Sequence, residues 1–101
     1  MENMLGQLRE MQKKLEETRK QLAEETIEAS SGRGAVRIVM SGTQECRQVL
    51  LTAEAIQKHD PEKLGELVRL AVNQAIKDSQ LLAARKLGPI AGPLAGLGKG
   101  M

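Results

Sequence analysis

The chain has 101 residues, 41% of them hydrophobic and 28% charged, with no Phe, Tyr or Trp and a formal net charge of +2. That length holds one domain and leaves no room for a separate substrate domain. A core restricted to Leu, Ile, Val, Met and Ala buries proportionally little surface, so association with a second copy is a natural way to add buried area. Cys46 is the only cysteine, which excludes an internal disulfide and fits a reducing intracellular setting. No stretch approaches the roughly 18 apolar residues of a membrane span, and none reads as the apolar part of a signal peptide. A soluble protein of the cytoplasm is expected.

In chain order, the first expected element is a helix over residues 3–25, where only Gly6 interrupts a run of good helix formers. Met4, Leu8, Met11, Leu15, Thr18 and Leu22 recur there in a heptad pattern among charged neighbours. Glu10 with Lys14 and Glu16 with Lys20 stand in the acid-first i,i+4 order that supports exposed helix. The apolar stripe needs a partner. Its end near Leu22 can lie on the chain's own sheet, while Met4 to Leu15 projects and meets a second copy or stays partly exposed.

Strands are expected at about 26–31, 35–41 and 45–51. Ile27 and Ala29 share one face of the first, Val36, Ile38 and Met40 one face of the second, and Arg47, Val49 and Leu51 one face of the third. Gly32 and Gly34 supply the first turn and Gly42 marks the second, which makes an antiparallel meander. Asp60-Pro61 then opens a helix over 61–87, with Asp60 as N-cap and Pro61 at the first helical position. Leu64, Leu67, Val68, Ala71, Val72, Ala75, Ile76, Ser79, Leu82 and Ala83 keep three-four spacing up to Gly88-Pro89, the expected stop. Such a helix is roughly 40 Å long and the strands only about 23 Å, so the helices should overhang the sheet. Residues 89–101 read as a flexible Gly/Pro-rich tail that sustains neither helix nor sheet.

Catalytic chemistry finds little support. His59 lies in a polar stretch beside the cap, Cys46 has no base placed for it by any motif, and one histidine makes no metal site. Gly96-Leu97-Gly98-Lys99-Gly100 looks superficially like part of a phosphate-binding loop but lacks the strand before and the helix after. No enzyme activity, metal, cofactor or small-molecule substrate is expected. Charge is the remaining signal. Residues 1–28 sum to −2, residues 30–53 to +2 and residues 69–101 to +4. Single-stranded nucleic-acid sites rely on stacking against aromatic rings, so a chain without rings is left mainly with phosphate contacts to a duplex.

The order of these elements, with Gly32-Arg33-Gly34-Ala35-Val36, Ser41-Gly42 and Glu45-Cys46-Arg47-Gln48-Val49, resembles the YbaB/EbfC family of bacterial nucleoid-associated proteins. The resemblance covers nearly the whole chain. It extends to Asp60, Leu64, Leu67, Val68 and Asn73 of the last helix and to the Gly/Pro-rich end. It implies an α+β domain over residues 1–88 in the order α-β-β-β-α, forming a tweezers-like homodimer whose sheets join at the centre and whose helices protrude as arms. It also implies binding to double-stranded DNA in the nucleoid, with roles in nucleoid organisation and gene regulation. By charge and arm position, Arg9, Lys13, Lys14, Arg19, Lys20, Arg85 and Lys86 are the candidate DNA contacts, with Arg33 and Arg37 of the hairpin beside them. Candidate dimer contacts are Met4, Leu8, Met11 and Leu15 of the heptad and Val36, Ile38 and Val49 of the sheet. A competing expectation is a protein-interaction module, in which the heptad helix and apolar tail grip a partner protein and the cations only solubilise it.

Overall fold

The heptad segment forms a single helix, α1, from Glu2 to Glu24. Three strands follow, β1 (Thr26–Ser31), β2 (Val36–Ser41) and β3 (Cys46–Leu51), then a short helix α2 (Ala53–Lys58) and a long helix α3 (Pro61–Lys99). This computed structural model describes the backbone from Glu2 to Lys99 and side chains from Met4 to Gly88. The molecule is elongated, 66 × 28 × 16 Å, because both long helices outrun the sheet as their rise per residue demands.

The strands form an antiparallel meander in the order β1-β2-β3. Its first turn is a type I′ turn, with Arg33 at φ 58°, Gly34 at φ 86° and Ala35 N–H donating to the Gly32 carbonyl at 3.2 Å. A bulge interrupts the second pairing, where Val39 faces Gln48 but Met40 faces Cys46, so Arg47 is the extra residue. Both helix starts in this half are capped as their sequences direct. Thr52 Oγ1 accepts from Ala55 N–H at 3.0 Å to open α2, and Asp60 Oδ1 accepts from Lys63 N–H at 2.7 Å to open α3.

The core is one layer of α3 on β1 and β2. Ala29, Val36, Ile38 and Met40 from the sheet meet Leu67, Ala71 and Ala75 from the helix, whose two alanines allow close approach. Ser79 continues that line. It is fully buried, and its hydroxyl donates to the Ser41 carbonyl at 2.7 Å. The outer strand β3 is left uncovered, all of its residues being exposed.

Two expectations need correction. Val36 and Ile38 are 0% exposed inside a single protomer, so they belong to its own core and present no surface to a partner. The helix expected to stop at Gly88-Pro89 instead continues to Lys99. An interior proline removes one hydrogen bond and strains the preceding turn but does not by itself end a helix. The backbone of 89–99 is therefore helical, and the side chains of the expected tail lie outside the described residues. The short helix α2 was not legible from periodicity, since six residues span less than two turns.

Candidate nucleic-acid interface

Along α1 the apolar stripe passes from open to closed. Met4 is 70% exposed and Leu8 is exposed, Met11, Leu15 and Thr18 are half-buried, and Leu22 is buried against Gly42. The helix is thus rooted at its C-terminal end and projects at its N-terminal end, beside α3. On the opposite side of α1, Arg9, Lys13 and Lys20 fall within about 40° of one another at 100° per residue. Lys14 and Arg19 flank the stripe. All five are exposed, and none of them forms an ion pair among the described residues. Glu10, Glu16 and Glu17 are interspersed, so the arm carries cations without being uniformly positive.

The other candidates divide by place. Arg85 is exposed on the part of α3 beyond the core, lining a shallow hollow with Ile27, Glu28, Asp78, Leu81 and Leu82. Lys86, next along, is committed to the Glu25 carboxylate at 2.9 Å. Arg33 and Arg37 lie elsewhere. Thr26 pairs with Ser41 at the end of the sheet nearest α1, whereas Ser31 pairs with Val36 beside the hairpin turn, about 20 Å away for a strand of this length. Arg37 folds back over Gly34, its guanidinium 3.5 Å from where a Cβ would stand, and faces Glu28 at 3.7 Å. The structure therefore brings the α1 cations and Arg85 toward the end of the sheet where α1 joins β1 and leaves Arg33 at the hairpin end, while the Arg37 guanidinium reaches from the hairpin to Glu28, which also lines the Arg85 hollow.

Two cations not among the candidates have structural duties. Arg47, pushed out by the bulge, donates to the Ala23 carbonyl at 2.8 Å and caps the last turn of α1. Arg69 forks onto Glu66 on the exposed face of α3. This hydrogen-bonded pairing holds the Glu66 carboxyl below the usual carboxylate range and raises the Arg69 guanidinium. Nothing in the sequence marks Arg47 as a cap, because the carbonyl it serves lies 24 positions earlier.

One further surface has the character of an interface. Val49 (49% exposed), Leu51 and Ile56 are open, and Val68, Val72 and Ile76 are only partly buried. On α3 these three valine and isoleucine side chains pack against the core cluster, on the flank away from Asp78, Leu81 and Arg85, which line the hollow beside β1. Of the dimer candidates in the sheet, only Val49 belongs to this patch.

Among the described residues no helix is long and apolar enough to cross a membrane. A profile of the YbaB/EbfC DNA-binding family matches residues 1–94. A nucleoid-associated protein of Ruminiclostridium cellulolyticum is 36% identical over 97 residues, covering 96% of this chain and 84% of that protein. Another, from Myxococcus xanthus, is 40% identical over 88 residues, covering 87% of this chain and 84% of its own. The crystal structure of the uncharacterized protein HP0035 from Helicobacter pylori shares the fold, with a TM-score of 0.75 at 18% identity over 84% of this chain and 89% of that one. With the family profile spanning both long helices and the whole meander between them, the chain belongs to the YbaB/EbfC DNA-binding family.

Proposed function

We propose that this protein is a nucleoid-associated protein of the cytoplasm that binds double-stranded DNA as a homodimer through phosphate contacts, with roles in nucleoid organisation and gene regulation. The carrying observation is the set of five exposed cations on the projecting helix, Arg9, Lys13, Lys14, Arg19 and Lys20, without ion-pair partners among the described residues. Family membership supports DNA as the partner. The absence of aromatic side chains favours a duplex over stacked single strands. Self-association is supported by Val49 and Leu51, exposed on one face of β3, and by the exposed Ile56 of α2, apolar side chains that stand in water in a lone protomer and leave it when a second copy covers them.

Phosphate binding is driven by counterion release, so log K falls with log salt at a slope of about −0.9 per phosphate neutralised. Anisotropy titrations of a labelled duplex at several salt concentrations, on protein of measured solution mass, test the reading. Substituting Arg9, Lys13 and Lys20 by Gln should weaken binding to all sequences alike and flatten the slope. If the wild-type protein shows no duplex binding at low salt, or the triple variant binds with an unchanged slope, the proposal fails.

A second reading, the protein-interaction module, is favoured by one observation: Met4, Leu5 and Leu8 are exposed together near the free end of α1. It requires Leu5→Ser and Leu8→Ser to abolish capture of a partner protein while leaving duplex affinity intact.

A further inference from the structure

The angle between α1 and α3 is set at a small joint where α1 meets β1. Gly42 N–H donates to both the Leu22 carbonyl at 2.8 Å and the Glu25 carbonyl at 3.0 Å. Arg47 holds the Ala23 carbonyl, and the Ser79 hydroxyl ties α3 to Ser41 on the neighbouring position of the same turn. These bonds fix the end of α1 to the sheet and α3 to the sheet. Among the described residues, only one polar contact runs directly from the α1–β1 junction to the overhanging part of α3, the Lys86 to Glu25 ion pair.

Energetically that pair is a poor stabiliser. Both side chains are about 40% exposed, a setting in which water and salt screen most of the attraction. The second carboxylate oxygen of Glu25 is buried without a hydrogen bond among the described residues, and leaving a buried acceptor unsatisfied costs more than a screened pair returns. The pair therefore adds little to global folding stability, and its effect falls on the local equilibrium of α1–α3 spacings. Its chemistry also argues against phosphate contact, because the Lys86 ammonium is already neutralised by a carboxylate that would itself repel a phosphate.

Resting on the duplex-binding reading, we infer that Glu25 and Lys86 are positioning residues: their ion pair sets the spacing of α1 and α3, and so the placement of the arm cations on a duplex, with neither side chain touching phosphate. Removing the pair should loosen the arm while leaving the number of phosphates neutralised unchanged.

The test uses the full chain with Cys46→Ser and spin labels at Gln12→Cys on α1 and Ala84→Cys on α3, both exposed positions, diluted with unlabelled protein. Lys86→Met and Glu25→Gln should each broaden the α1–α3 distance distribution. Each should also weaken duplex binding about three- to tenfold, equivalent to about 0.7–1.4 kcal/mol, at an unchanged salt slope. The exchange Glu25→Lys with Lys86→Glu should restore both the distance and the affinity. If Lys86→Met flattens the slope by about 0.9, or Glu25→Gln tightens binding, Lys86 is a phosphate ligand and the inference is overturned. Unchanged distances in both single variants, or an exchange variant that restores nothing, overturn it equally. Should Lys86→Met not fold, Glu25→Gln decides, since it opens the same pair at constant side-chain size. Absence of duplex binding by the wild-type chain defeats the DNA reading alone, and the distances still decide the joint.

Discussion

Arg33 and Gln44 hold φ angles of 58° and 66°, in the left-handed region where a Cβ crowds the following carbonyl. Each position costs about 1 kcal/mol or more relative to glycine. Both stand at turn positions that favour glycine, Arg33 in the type I′ turn and Gln44 at the end of the β2–β3 turn, where its N–H donates to the Ser41 carbonyl at 3.0 Å. Arg33→Gly and Gln44→Gly are each expected to stabilise the fold by up to about 1 kcal/mol, a rise of roughly 4–8 °C in Tm for a domain of this size, read by thermal melting. Because Arg33 lies at the far end of the sheet from the α1 cations, duplex affinity should change little in Arg33→Gly; a large loss would place a DNA contact at the hairpin. Ser79→Ala is the converse case. It removes a buried hydroxyl donor from the Ser41 carbonyl and should cost about 1 kcal/mol in denaturant unfolding.

Between elements, α1 is seated closely on the β2–β3 turn. A Cβ on Gly42 would stand 2.7 Å from Leu22 Cδ2 and 2.9 Å from the Leu22 carbonyl oxygen, and the second of these is backbone that cannot rotate away. Gly42→Ala should therefore displace α1 from the sheet and destabilise the protein by about 1–3 kcal/mol, the usual range for overpacking. Equilibrium unfolding gives the magnitude, and hydrogen exchange of the last turn of α1 reports where the damage falls. The extension of α3 through Gly88-Pro89 invites a complementary measurement. An interior proline costs about 3 kcal/mol relative to alanine, so Pro89→Ala should strengthen the far end of α3, read as slower amide hydrogen exchange there, with helix content and the sheet core unchanged.

For the molecule as a whole, the open flank is decisive. A single layer of α3 over β1 and β2 leaves Val49, Leu51 and Ile56 in water, and a small domain without aromatic residues has little other area to bury. If a second copy covers this patch, stability depends on protein concentration. Val49→Asp with Leu51→Asp should shift sedimentation toward the monomer, lower Tm and abolish its concentration dependence. The protein carrying Leu8→Ser and Met11→Ser instead should keep its mass if the patch is the main interface. The reverse pattern would return the interface to the heptad stripe.

Much of the fold was legible because it depends on local rules. Helix periodicity, alternation along the strands, the glycine turns and the Asp60-Pro61 start are each written within a few residues of where they act. The order α-β-β-β-α and the overhang of the helices followed from them. The exposure of the α1 cations was also legible, since the outer face of an arm can be read from 3.6-residue spacing. What tertiary structure alone decided is which of several similar residues each neighbour occupies. Val36 and Ile38 could not be separated from Val49 by pattern, because only the offset of α3 across the sheet buries the first two and exposes the third. Lys86 could not be separated from Arg85, nor Arg47 from the other arginines, because their partners Glu25 and Ala23 are far away in the chain. Local sequence sets which backbone conformations form and which faces are apolar; the packing of those faces decides which charges are consumed in holding the fold and which remain for a partner.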